Sequence, residues 1–196
     1  MIRIIGIGPG NVKYMTFEAV NIIKNSKCIV AFERAASDAA KLNDKIISVN
    51  RLCEVEEAIE KNKDVDILAS GDPCFFGITD YLTRKKICID EIVPGLSSFQ
   101  YMMCKLKKSW QGAELISLHG KNADIQNMVL NKNVYVFLTD KTNTPSYISK
   151  KLYSIGVKGR IYSGFNLSYE DEIIIEKNIG DDIFNVSKLS VVVIEI

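Results

Sequence analysis

One aspartate, held between a glycine and a proline in Gly71-Asp72-Pro73, is better placed by its neighbours to meet a ligand than any other residue of this chain. Glycine lets backbone approach a bound molecule closely, and proline fixes the turn and removes a donor. The turn follows a short apolar run, Asp66-Ile67-Leu68-Ala69, and precedes a helix-like run from Phe75 to Lys85. Asp72 is therefore expected at the carboxyl end of a strand, where open α/β sheets bind their ligands. Two further segments keep it company. Gly6-x-Gly8-Pro9-Gly10 closes the first apolar run, and Pro94-Gly95-Leu96-Ser97-Ser98 puts two serines where a helix should begin. Either serine can cap that helix, and either hydroxyl could face a ligand.

The remaining candidates narrow the chemistry. A dinucleotide fingerprint fails at the first turn, because its third glycine falls one place early and Pro9 stands where an amide should face a pyrophosphate. A P-loop pattern is absent as well. His119, the single histidine, is most simply structural on its own, and no serine or cysteine has a base beside it in the sequence. The five cysteines are scattered without a Cys-x-x-Cys, so no metal site is expected. They read as small apolar residues of a reducing compartment.

These segments need elements to position them. Strands are expected at Ile2–Ile7, Cys28–Phe32, Ile46–Val49, Asp66–Ala69 and Ile87–Val93. Helices are expected at Thr16–Asn25, from Arg34, near Glu54–Asn62, at Phe75–Lys85 and through Leu106. That alternation predicts a mostly parallel sheet covered on both faces. Residues 1–107 are expected to form this α/β domain, Lys105–Gly112 reads as a linker, and 112–196 read as a second α/β domain with a mixed sheet. The second has strands at Glu114–Leu118, Val134–Thr139, Gly159–Tyr162, Ile173–Asn178 and Leu189–Ile196, with helices near Asp124–Leu130 and Ser146–Ile155.

Composition bounds the partners. A net charge of +1 argues against a general nucleic-acid binder. Charge is uneven: four lysines face Glu114 alone between Tyr101 and Lys121, whereas Glu170–Asp182 holds six acids and one lysine. No apolar run approaches the roughly 20 residues that span a bilayer. The chain opens directly on a strand, so a cytoplasmic protein without a signal peptide is expected.

Gly6-Ile7-Gly8-Pro9-Gly10, Gly71-Asp72-Pro73…Gly77 and Pro94-Gly95-Leu96-Ser97-Ser98 occur in an order and at separations that together resemble the tetrapyrrole methylases. These are the S-adenosylmethionine-dependent enzymes of corrin and sirohaem synthesis. Trp110, Ser117-Leu118-His119-Gly120, Leu138-Thr139-Asp140-Lys141-x-Asn143-x-Pro145 and Asn166-Leu167-Ser168-Tyr169 with Glu172 make the chain similar to the branch acting in cobalamin synthesis on cobalt-precorrin-7. The resemblance implies two α/β domains with the cofactor cleft between them, and methyl transfer from S-adenosylmethionine to carbon 5 of the corrin ring.

Residue by residue, the resemblance implies that Pro9, Gly71, Asp72, Phe76, Ser97 and Ser98 line the cofactor, with Leu138 and Asn166 from second-domain segments. Because a sulfonium is already a strong electrophile, the protein mainly has to align the reacting atoms and exclude water, so no catalytic acid–base pair is expected. Arg34, Lys13, Lys105 and Lys108 are candidate contacts for the ring carboxylates, and His119 is a further candidate substrate contact. The resemblance further implies a homodimer. Some relatives carry an added domain that methylates carbon 15 with decarboxylation, and here that step is expected from a separate protein. Methylation at another ring position, or a non-catalytic S-adenosylmethionine-binding module, are the alternative readings. A ribosomal RNA methylase on the same scaffold is disfavoured by the weak basicity.

Overall fold

Five strands too short to stand alone lie side by side in the first half of the chain, the three inner ones largely buried and the two edge ones partly exposed. They are β1 (Ile2–Gly6), β2 (Ile29–Phe32), β3 (Ile46–Val49), β4 (Val65–Ala69) and β5 (Glu91–Val93). The computed structural model describes residues 1–118, 125 and 132–196. It divides the chain into two units, Met1–Ser98 and Phe99–Ile196.

In the first unit the strands run in the order β3-β2-β4-β1-β5, and every neighbouring pair is parallel. The period of two along each strand explains how both faces are covered. Ile5, Ile29, Ala31 and Leu68 point to one face, where they pack with Ala19 and Ile23 of α1 (Phe17–Asn25) and Ala35, Ala36 and Ala39 of α2 (Glu33–Ala39). Their neighbours Ile4, Val30 and Ile67 point to the other. There they meet Val55 and Ala58 of α3 (Leu52–Lys61) and Ile78 and Leu82 of α4 (Ile78–Arg84). Thr16 caps α1 by accepting from the Ala19 amide at 3.1 Å. Arg3 on β1 is paired on both sides within the sheet: it donates to both carboxylate oxygens of buried Asp66 on β4, at 2.7 and 3.1 Å, and lies 3.7 Å from the Glu91 carboxylate on β5.

Two expected elements are shorter than their sequences imply. Residues 75–77 do not begin α4, because Phe76 and Gly77 take positive φ values of 62° and 103°. The strand expected from Ile87 pairs with β1 only from Glu91, the preceding residues running irregularly. The cysteines also differ from expectation: Cys53, Cys74, Cys88 and Cys104 are exposed and Cys28 is half-buried. The four exposed ones sit in loops and on outer helix faces, whereas Cys28, just before β2, packs against the core beneath α3 and α4.

The second unit is built on β6 (Glu114–Ser117), β7 (Val134–Leu138), β8 (Arg160–Phe165), β9 (Ile173–Asn178) and β10 (Ser190–Glu195). Their order is β6-β7-β10-β8-β9; β6 and β7 are parallel and the other pairs antiparallel, which makes the sheet mixed as expected. One face carries Tyr135, Phe137, Ile161, Phe165, Val192 and Ile194, packed with Ile148 and Leu152 of α6 (Pro145–Ser154). Thr144 caps that helix and Pro145 opens it. On the opposite face Met102 of α5 (Ser98–Leu106) lies over Gly164, where a Cβ would come within 2.6 Å of its sulfur. β8 thus continues to Phe165, past its expected end at Tyr162. The expected helix at Asp124–Leu130 and His119 lie outside the described residues, Ile125 apart.

Candidate functional site

The carboxyl ends of β4, β1 and β5 lie in a row, because these strands are consecutive neighbours in the sheet. The loop after β1 leads to α1 on one face and the loop after β4 leads to α4 on the other. Before they part, the two loops bridge: the Gly71 amide donates to the Gly8 carbonyl at 2.8 Å and the Gly8 amide returns a bond to Gly71 at 3.3 Å. Both glycines take positive φ, 74° and 72°, which a side chain would strain.

The third loop is pressed against this bridge. A Cβ on Gly95 would lie 2.2 Å from the Gly71 carbonyl oxygen, and one on Gly6 would lie 2.5 Å from the Gly95 nitrogen. Neither fits. Only bare backbone at Gly6 and Gly95 lets the three segments meet, a requirement sequence reading had missed.

Asp72 fastens the assembly. Its Oδ1 accepts from the Cys74 amide at 2.8 Å, shaping its own turn, and its Oδ2 accepts from the Gly95 amide at 3.3 Å, reaching the neighbouring loop. The Thr79 hydroxyl donates to the Pro73 carbonyl at 2.6 Å and ties the turn to the start of α4. Pro9 follows Gly8 directly at the bridge. Ser97, only 2% exposed, abuts Gly71: a Cβ there would lie 3.5 Å from the Ser97 Cα. Ser98 is the first residue of α5. The ring of Phe76 is 40% exposed, with the Phe75 ring 4.8 Å away. Pro9, Gly71, Asp72, Ser97 and Ser98 are thus gathered at one edge of the first sheet, with Phe76 a turn further along. Arg34 stands near them, donating to the Ser70 hydroxyl at 3.2 Å.

The second unit holds the other candidates. Leu138 ends β7, its carbonyl accepting from the Leu118 amide at 2.9 Å. Asn166 follows β8 with φ of 47° and donates through Nδ2 to Asp171 at 2.6 Å. The two lysines proposed for ring carboxylates carry internal partners: Lys105 pairs with Glu172 at 2.7 Å, and Lys108 with Glu195 at 2.9 Å. Burial pushes the Glu172 carboxyl up, but Lys105, the Ser168 amide and Tyr101 outweigh it and hold the group below the usual carboxylate range. Lys108 also lies over the Tyr162 ring, 5.0 Å from its centre, and its ammonium is held above the usual lysine range chiefly by Glu195. Asp140 anchors another loop, accepting from the Thr142 and Asn143 amides at 2.9 and 2.7 Å, while Asn143 donates to the Leu118 carbonyl at 3.3 Å.

A parallel first sheet with glycine-lined strand ends and a mixed second sheet define the class. Residues 1–181 match the model of the Tetrapyrrole (Corrin/Porphyrin) Methylases, and the chain belongs to that family of S-adenosylmethionine-dependent methyltransferases. Among its relatives, a probable cobalt-precorrin-7 C(5)-methyltransferase of Methanocaldococcus jannaschii is 36% identical over 195 residues, covering 92% of this chain and 90% of the relative. A cobalt-precorrin-7 C(5)-methyltransferase of Salmonella typhimurium is 26% identical, covering 88% of each chain.

Solved structures agree in fold. The precorrin-6Y methylase of Archaeoglobus fulgidus superposes with a TM-score of 0.74 at 22% identity, covering 100% of this chain and 97% of its own. The uroporphyrin-III C-methyltransferase of Thermus thermophilus, complexed with S-adenosylhomocysteine, superposes with a TM-score of 0.80 at 18% identity, covering 99% and 96%.

Proposed function

We propose that this protein transfers the methyl group of S-adenosylmethionine to carbon 5 of cobalt-precorrin-7, a step of cobalamin synthesis. One observation carries the reading: the Gly8–Gly71 bridge with Asp72 at the carboxyl edge of a parallel sheet, in a chain 36% identical to a relative of that activity. The donor set suits the cofactor. Bare backbone at Gly71 keeps the strand end clear of a side chain, Ser97 and Ser98 stand at a helix start, and Phe76 offers an exposed ring to a base.

When bound, S-adenosylmethionine supplies a methyl group already activated on sulfonium. Gly71, Asp72, Pro9, Ser97 and Ser98 hold and orient it, and Phe76 excludes water from its nucleoside part. Leu138 and Asn166 are the second unit's contacts to it. Arg34, tied to Ser70, is the first unit's best contact for a ring carboxylate, and Lys13, in the segment after β1, is a further candidate. Lys105, Lys108 and His119 complete the candidate substrate contacts.

The reading extends to a homodimer in a reducing, cytoplasmic setting, the setting supported by the five unpaired cysteines. No helix among the described residues is long and apolar enough to cross a membrane. The deciding experiment incubates the purified protein with cobalt-precorrin-7 and S-adenosylmethionine labelled in its methyl group. One labelled methyl on carbon 5, located by nuclear magnetic resonance, is the expected product. Label at another ring carbon, or none, overturns the reading.

A further inference from the structure

The segment after β8 holds an unusual backbone. Asn166 and Ser168, neither of them glycine, both take positive φ, 47° and 75°, within three residues. L-residues rarely visit that region, and they stay there only when their surroundings leave no alternative.

The surroundings can be named. Leu167, between the two, is buried and packs its side chain against Gly164. The Asn166 amide donates to the Leu189 carbonyl at 3.2 Å, and its side chain to Asp171 at 2.6 Å. The Ser168 amide donates to Oε2 of Glu172 at 2.7 Å. The other oxygen of the same carboxylate, Oε1, lies 2.7 Å from the Lys105 ammonium of α5, and Tyr101 on the same helix also donates to it. Glu172 is only 14% exposed at its side chain. Its two oxygens therefore join a loop to a helix, and a carboxylate this enclosed keeps its partners in fixed geometry.

We propose that Glu172 is a positioning residue for methyl transfer: clasped by Lys105 and Tyr101, its carboxylate locks the Asn166–Asp171 loop and so presents the Asn166 side chain to S-adenosylmethionine. The inference rests on the reading that Asn166 meets the cofactor. It also reassigns Lys105. That lysine serves the loop through Glu172, and a ring carboxylate would have to break this pair to reach it.

The test is a double-mutant cycle on ligand affinity. Glu172→Ala, Asn166→Ala and the double variant are titrated with S-adenosylhomocysteine in a calorimeter, each checked for folding by its thermal midpoint. Each single change is expected to weaken binding about ten-fold. The double variant is expected to bind no more weakly than Asn166→Ala, since the two residues act as one. A merely structural Glu172 would lower the thermal midpoint and leave affinity alone. If Asn166→Ala weakens binding and Glu172→Ala does not, or if the two losses add, the positioning role is overturned while the cofactor reading stands. If the wild-type protein binds S-adenosylhomocysteine but Asn166→Ala binds it equally well, the contact at Asn166 and the role of Glu172 both fall. If the wild type does not bind at all, the cofactor reading itself fails. Should Glu172→Ala not fold, Lys105→Met, which removes one arm of the clasp from a half-exposed side chain, enters the same cycle with the same expectations.

Discussion

Replacing Gly95 by alanine tests the glycine contact at the strand ends most directly. The new Cβ would lie 2.2 Å from the Gly71 carbonyl oxygen and 2.8 Å from the backbone of Gly6. Both obstacles are backbone in a packed sheet, so the loops have to part by about 1 Å to restore ordinary contact. Overpacking of this kind costs about 1–3 kcal/mol. The same movement pulls the Gly95 amide away from Asp72, whose hydrogen bond is already long at 3.3 Å. A lost bond to a charged group adds about 1.5–3 kcal/mol.

Together these costs, about 2.5–6 kcal/mol, should lower the thermal midpoint by about 5–24 °C, at about 2–4 °C per kcal/mol for a chain of this size. Affinity for S-adenosylhomocysteine should fall at least about ten-fold, because the Gly71 and Ser97 segments separate. Gly112→Ala is the control. Its φ is 79° but open space surrounds it, so strain alone should cost about 1 kcal/mol and leave affinity unchanged. Calorimetry with both variants decides the matter. Wild-type affinity in a folded Gly95→Ala protein would refute the argument that bare backbone contact shapes the site.

Three further outcomes are expected. Asp72→Ala should weaken S-adenosylmethionine binding by about 1–3 kcal/mol, as removal of a charged hydrogen-bond partner does; unchanged affinity by calorimetry would remove Asp72 from the site. Cys74→Ser should keep methyl transfer, since Cys74 is exposed and serves through its backbone amide, and complete loss of turnover in a folded variant would reveal a missed nucleophile. Glu172 has a depressed folded-state pKa, so its contribution to stability is present above the unfolded carboxylate value and is lost as pH falls through the folded one. Thermal midpoints measured on acidification should therefore drop more steeply in the wild type than in Glu172→Gln, and parallel curves would contradict this.

The parallel sheet was legible because strands buried on both faces read as unbroken apolar runs, as Ile29-Val30-Ala31 and Ile67-Leu68 do. The three turns were legible from glycine, proline and aspartate at strand ends. What sequence could not supply was distance. Gly6 and Gly95 stand far apart in the chain, and only the register of β1 with β5 brings them together. Lys105 and Lys108 read as free cations because Glu172 and Glu195, their partners, lie well along the chain. The left-handed turn at Asn166 and Ser168 left no glycine to announce it, and Gly164, read as a loop residue, is a strand position kept small for Met102.

The strand order has a consequence for synthesis on the ribosome. β1 pairs with β4 and β5 and never with β2, its successor in the chain. Ile2 finds its partner at Val65, roughly sixty residues later. At translation rates of about 5–20 residues per second, the first strand waits some 3–12 s for a neighbour to be made. During that interval β2 and β3 can join, while Ile2-Arg3-Ile4-Ile5 remains an apolar ribbon with both edges open. The nascent chain is then most exposed to mispairing at its amino end. Closure by β4 ends that exposure, and in the same event it brings Gly71 against Gly8.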